Sequence, residues 1–179
     1  MTEKLDLAIS NYKVISAITK KAQTLTLSND KYVSEFNLPD FSKNYKNSKN
    51  EIETYFDNLN DRILEYAYLE LFAGFEATVI EKIKHASGEM SKTIKENYNN
   101  SFPFVNYEKK FVKNVDDLSS LNKILDLLKN KINDKLYEGL EDIVKYRDKL
   151  AHGKRFHENV ALDSIESTYD IMIEILDEI

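Results

Sequence analysis

An arginine and a histidine set close together are the residues of this chain best equipped for chemistry. They lie in the stretch Tyr146-Arg147-Asp148-Lys149-Leu150-Ala151-His152-Gly153. A guanidinium is a permanent cation with a fixed fork of donors, suited to an oxyanion. An imidazole exchanges protons near neutral pH. On a helical wheel, Leu136, Leu140, Ile143, Val144, Leu150 and Ala151 all fall within about 60° of Arg147. The guanidinium thus occupies the middle of an apolar stripe, where Leu or Ile is the ordinary choice. Such a placement is costly unless the cation is paired or poised to meet an anion. His152 follows five positions later, roughly 140° around the same helix. One continuous helix therefore does not aim both side chains at one point. Either the helix ends at His152-Gly153 and frees the imidazole, or Arg147 and His152 of two subunits combine across a two-fold axis. Asp148 stands four residues before His152, where it can orient the imidazole or hold Arg147.

Other polar residues join this segment as candidates. Lys145, Arg147, Lys149, Lys154 and Arg155 form a basic cluster broken only by Asp148. Lys149, Lys154 and Arg155 are the candidate substrate contacts. The chain carries a net charge of −6, but its acidity is uneven. Residues 158–179 hold seven acidic residues and no Lys or Arg, so the rest nets +1. A nucleic-acid site fits the local basic cluster, not the whole surface. Glu70 and Glu76 stand out in an apolar stretch and are candidate partners for Arg147. The plainer reading of Arg147 is a core-edge side chain that snorkels outward or pairs with one of them. Phe102, Phe104, Tyr107 and Phe111, interleaved with Lys109, Lys110 and Lys113, can stack bases or simply pack on the protein.

The elements that must position these groups are helices. Four Gly and two Pro in 179 residues leave few chain breakers, which favours long helices with few loops. Leu5, Ala8, Tyr12, Ile15, Ile18 and Ala22 mark a first helix to about Leu25, followed by a long polar connection over residues 28–50. Residues 51–86 give the longest periodic stretch, amphipathic and then apolar nearly all round, as in the central helix of a bundle. Gly88 is expected to end it or its immediate extension, with a short polar helix over residues 89–99. Further helices are expected over residues 117–132, over residues 134–152 with Gly153 as C-cap, and from Asn159 or Asp163 to the end. The Ile-rich side of that last helix is a candidate dimerisation face. The expected class is all-α: one compact up-and-down bundle of about five or six helices across residues 1–179, with residues 51–179 as its core.

Arg, an acidic residue, three more and His, at the end of the penultimate helix of a small helical chain, resembles the Arg-x4-6-His motif of the HEPN superfamily. The stretch Leu69-Glu70-Leu71-Phe72-Ala73-Gly74-Phe75-Glu76-Ala77 is similar to the long second helix of prokaryotic members. The resemblance covers residues 51–179. It implies a metal-independent endoribonuclease in which an RNA 2′-OH attacks the adjacent phosphate, leaving a 2′,3′-cyclic phosphate and a 5′-OH. His152 would be the general acid/base, Arg147 would stabilise the phosphorane-like transition state, and Asp148 would position one or the other. The family implies a homodimer with a composite site, an RNA substrate (tRNA among the candidates), and work as a toxin or anti-phage effector restrained by an antitoxin or defence partner. The alternative is a non-catalytic HEPN-like module that binds a nucleotide, an RNA or a protein.

The absence of Cys excludes disulfides, thiolate metal sites and Cys nucleophiles. Three His cannot build a His-rich metal cage, and neither a metal nor another cofactor is expected. No apolar run reaches the roughly 20 residues that span a bilayer. Met-Thr-Glu-Lys-Leu-Asp lacks the basic and apolar regions of a signal peptide, so the expected location is the cytoplasm and no membrane partner is expected.

Overall fold

In the computed structural model, the structure describes residues 2–29, 31–36, 38, 49–98, 104, 106, 110, 113, 121–129, 131–152 and 164–179. The described residues form six helices and no strand: α1 (Glu3–Ser28), α2 (Lys31–Glu35), α3 (Lys49–Tyr98), α4 (Leu121–Leu128), α5 (Asp134–His152) and α6 (Ile165–Glu178). The all-α class read from the sequence is the class observed. None of these helices is long and apolar enough to cross a membrane.

Pairwise contacts fix the directions. A Cβ added at Gly74 of α3 would lie 3.4 Å from side-chain atoms of Leu5 and Lys4, while Gln23 reaches Asp57 across 3.4 Å, so α1 runs antiparallel to α3. Gly139 of α5 faces Ile171 of α6, and Asn133 donates to Glu178 at 3.0 Å, which makes α5 and α6 antiparallel. α6 lies along α3 in the same direction, with Thr168 beside Tyr68 and the Lys82 ammonium on the carbonyl of Leu176 at 2.6 Å. That ammonium satisfies an orphan carbonyl at the negative end of α6. At the other end, the Ser164 side chain caps α6 by accepting from the Ser167 N–H at 3.0 Å. Asn133 does the same for α5 through the Leu136 N–H.

The main core joins Leu5, Ala8 and Ile9 of α1 to Leu71, Phe72, Phe75 and Val79 of α3. Ile124 and Leu128 of α4, Leu140 and Ile143 of α5 and Met172, Ile175 and Leu176 of α6 complete it. A smaller cluster of Val33, Ile52 and Phe56 packs where the end of α1 meets α2 and the start of α3.

Several expectations change. Gly88 does not end the central helix, which continues to Tyr98 and absorbs the short polar helix. No atom lies within 4 Å of a Cβ built at Gly88, so the glycine is not there for space. A helical glycine costs only about 1 kcal/mol relative to alanine, too little to break a helix of good formers such as Glu89, Met90 and Lys92. α4 stops at Leu128 rather than Ile132, and residues 117–120 lie outside the described residues. On α1, Ile15 and Ile18 are 47% and 63% exposed, while Thr19 and Thr26 are buried in their stead. Each buried threonine hydroxyl is satisfied by the carbonyl four residues back, at 2.9 and 2.8 Å, so its burial leaves no donor orphaned. The Ile-rich side of α6 is consumed by the core through Ile165, Met172 and Ile175, and is not a free dimerisation face.

Candidate active site

α5 carries the candidate residues, and its boundaries coincide with those read from the sequence. Its first three turns bury Leu136, Leu140, Ile143 and Val144. Beyond Val144 the helix leaves the core: Leu150 is half-buried and Ala151 exposed. Arg147 therefore lies where the apolar stripe runs out, with its side chain 29% exposed. Its Nη1 donates to Oδ1 of Asp148 at 2.9 Å. Among the described residues, Arg147 pairs with neither Glu70 nor Glu76; Glu70 is exposed on α3 and Glu76 half-buried. The carboxylate that holds Arg147 is its own neighbour.

Asp148 is 35% exposed on its side chain and stands one turn before His152. Side chains at i and i+4 on a helix are neighbours, with Cβ atoms about 5–6 Å apart. The same carboxylate that holds Arg147 thus sits one turn below the position of His152. His152 is the last residue of α5, at the negative end of the helix. Its side chain, with Gly153, Lys154 and Arg155, lies outside the described residues. Lys149 places its ammonium 5.9 Å from the centre of the Tyr146 ring, a cation–π arrangement. Lys145 is drawn to Asp142 at 3.3 Å on the exposed side. Of the aromatic segment, expected as a loop, the described residues Phe104, Asn106, Lys110 and Lys113 are helical; Phe104 stacks on Tyr98 at 4.1 Å, while Phe102, Tyr107, Lys109 and Phe111 lie outside the described residues.

Facing this turn of α5 is a part of α3 not singled out from the sequence. Arg62, Glu65, Tyr66 and Leu69 line a cleft of about 280 Å³ with Leu150 of α5. Tyr66 is 70% exposed, an unusual position for an aromatic ring. The Tyr146 ring meets Tyr68 edge-on at 5.0 Å. Burial, and then the charges of Glu65 and Asp61, push the Tyr146 phenol up, so it stays a hydrogen-bond donor. The only sequence signal for this cleft was an arginine one turn before an unburied tyrosine on a helix otherwise turning apolar.

Two tyrosines of the bundle, Tyr68 beside Tyr146 and Tyr169 on α6, titrate high. Burial pushes the Tyr68 phenol up to about 12. The hydrogen bond Tyr169 gives to Asp6, and then burial, raises Tyr169 to about 12. An unfolded tyrosine titrates at about 10. Raised folded values make this contribution to stability full below pH about 10, and it is lost as pH rises through about 12. The thermal midpoint is expected to fall across that window and less steeply in Tyr169→Phe. Equal slopes for the two proteins would show that the Tyr169–Asp6 bond does not carry the effect.

No protein-family model, curated protein or solved structure matches the chain.

Proposed function

We propose that the chain is a metal-independent endoribonuclease of the HEPN type, with its site at the C-terminal turn of α5. The observation that carries this reading is the Arg147–Asp148 pair, at 2.9 Å, one helical turn below His152. At the edge of the core, with its side chain 29% exposed, the guanidinium is placed to meet an anion from solvent. A guanidinium held by one carboxylate still has donors left for a phosphate.

In this mechanism His152 takes the proton of an RNA 2′-hydroxyl as its oxygen attacks the adjacent phosphorus. The bond to the 5′-oxygen breaks, and that oxygen leaves with a proton returned by the imidazole. Arg147 stabilises the extra negative charge on the phosphoryl oxygens. Asp148 is a positioning residue for both. Lys149, with Lys154 and Arg155, meets the flanking phosphates, which adds a salt-dependent contribution to affinity. DNA lacks the 2′-hydroxyl and is not cut by this route. The active form is a homodimer, and the cellular role is that of a toxin or anti-phage effector acting on RNA such as tRNA, restrained by a partner protein.

Asp61 and Glu65 beside Tyr146 favour a second reading, in which this face repels RNA and the domain is a binding module for a protein partner. The deciding experiment is incubation of purified protein with total RNA in EDTA, followed by end-group analysis. The ribonuclease reading expects cyclic-phosphate and 5′-hydroxyl ends, and none with His152→Ala. No cleavage by the wild-type protein across salt conditions transfers the case to the binding module. Cleavage that survives His152→Ala places the chemistry elsewhere.

A further inference from the structure

The cleft between α3 and α5 joins three side chains of different chemistry to an apolar lining. Arg62, Glu65 and Tyr66 come from successive turns of α3, and Leu69 of α3 and Leu150 of α5 complete it. Arg62 is exposed and, among the described residues, makes no hydrogen bond or ion pair. The Tyr66 ring is 70% exposed and, among the described residues, meets no other ring. Glu65 is half-buried. Burial, and next the charge of Glu65, hold the proton on the Tyr146 hydroxyl, so this carboxylate lies at the seam with α5. Leu150 is three residues past Arg147, which puts their Cβ atoms about 5–6 Å apart on α5. The cleft therefore adjoins the Arg147–Asp148 pair. Its volume of about 280 Å³ falls just below the roughly 300–1,000 Å³ of sites for drug-sized ligands. It suits one nucleobase with its sugar.

We infer that this cleft is a base-reading subsite for RNA, holding a guanine whose nucleotide neighbours the phosphate met by Arg147. The inference rests on the ribonuclease reading only for the identity of that phosphate. Each lining group matches one part of the ligand. The open face of Tyr66 stacks the base, as aromatic side chains do with the splayed bases of single-stranded RNA. Arg62, one turn before Tyr66, meets a phosphate of the same strand. Glu65 accepts from the Watson–Crick edge of the base. Guanine alone presents two adjacent donors there, its N1–H and its N2 amino group, and one carboxylate takes both. Adenine and cytosine set a ring-nitrogen lone pair beside their amino group, and a carboxylate repels it. Uracil sets its one N–H between two carbonyls. The acidity of this face thus selects a base rather than excluding RNA, because the carboxylate meets base donors and not phosphates.

The chain has no Trp, so Tyr66→Trp adds a lone indole at the stacking face. The probes are 2′-fluoro RNA hexamers, which lack the attacking hydroxyl and are bound without being cut. One is oligoadenylate, and the other is the same strand with one central guanine. The guanine strand is expected to quench the indole emission and to bind about 10-fold tighter than the adenine strand. Tyr66→Ala should weaken its binding by roughly 5- to 100-fold. Position 66 is exposed, so the circular dichroism of that variant should match the wild type. Glu65→Gln separates reading from repulsion: it should erase the preference for guanine while the adenine strand binds no more weakly. Equal tightening of both strands by Glu65→Gln, with the preference kept, means that the carboxylate only repels RNA and overturns base reading. GMP that saturates the indole signal as tightly as the guanine strand makes this a free-nucleotide site and overturns the RNA assignment. No quenching by either strand, or no effect of Tyr66→Ala, overturns the subsite and leaves the cleft to a protein partner. None of these measurements needs cleavage, so the two readings fail separately. RNA left uncut by the wild type with a quenched indole removes the nuclease and keeps the subsite; RNA cut with an unquenched indole does the reverse.

Discussion

Arg147→Ala is expected to lower kcat for RNA cleavage by about 100- to 1000-fold, the usual loss when a donor to a developing oxyanion is removed. KM should change less, because the guanidinium does its main work once the phosphoryl oxygens gain charge. The side chain lies at the edge of the core, 29% exposed and bonded to a neighbour on its own helix. Its removal should therefore leave the melting temperature close to wild type. Arg147→Lys separates charge from shape. Lysine keeps the cation but loses the planar fork, so it should restore part of the rate and not all of it. Asp148→Asn keeps the size of the carboxylate while removing its charge, and frees Arg147 from its ion pair. A fall in kcat with Asp148→Asn, without a fall in stability, supports Asp148 as a positioning residue. If Arg147→Ala lowers stability by several kcal/mol while cleavage per folded molecule stays the same, Arg147 is a structural residue and the proposed site is wrong.

The legible parts of the sequence were those where one face of a helix alone meets the core. α5 is readable to both ends because Leu136, Leu140, Ile143 and Val144 form a single stripe and Gly153 marks where it stops. α1 was not, because it carries two stripes. Its hydrophobic residues read as one face, which places Ile15 and Ile18 in the core and overlooks Thr19 and Thr26. A buried threonine is indistinguishable in sequence from an exposed one when its hydroxyl is satisfied within its own helix. The extent of α3 was hidden by Gly88, whose helical cost is smaller than the gain from continuing. In the candidate site, Arg147 and Asp148 were visible because a charge interrupted an apolar stripe. The sequence leaves the partner of Arg147 open between Asp148 and the long-range Glu70 and Glu76 that a wheel suggests, and the adjacent carboxylate is the one bonded. Arg62 and Tyr66 gave only the weak signal of an arginine one turn before a tyrosine, and line a cleft once α3 and α5 are side by side.

Phe75→Ala is expected to cost about 3–5 kcal/mol, which removes much or all of the stability of an ordinary domain. Phe75 is 0% exposed and lies on α3 in the core shared by α1, α4, α5 and α6. Its neighbours belong to several helices, so no single one can move in to fill the space. The cavity then adds to the lost transfer free energy. Met90→Ala on the same helix provides the contrast. Met90 is 48% exposed, fifteen residues further along, in the part of α3 past the turns that pack on α1. That substitution exchanges one good helix former for another, and is expected to change stability by less than about 0.5 kcal/mol. Urea unfolding should show the first as a large fall in midpoint with little change in slope, and the second as almost no change. The same contrast should appear in hydrogen exchange, with amides near Phe75 protected to the global limit and those near Met90 opening locally. A 50-residue helix is then two things in one chain: a central core strut up to about Ser87, and an arm held by helix propensity and by contacts such as the stacking of Tyr98 on Phe104. Equal destabilisation by the two substitutions would contradict this division and place the arm within the cooperative core.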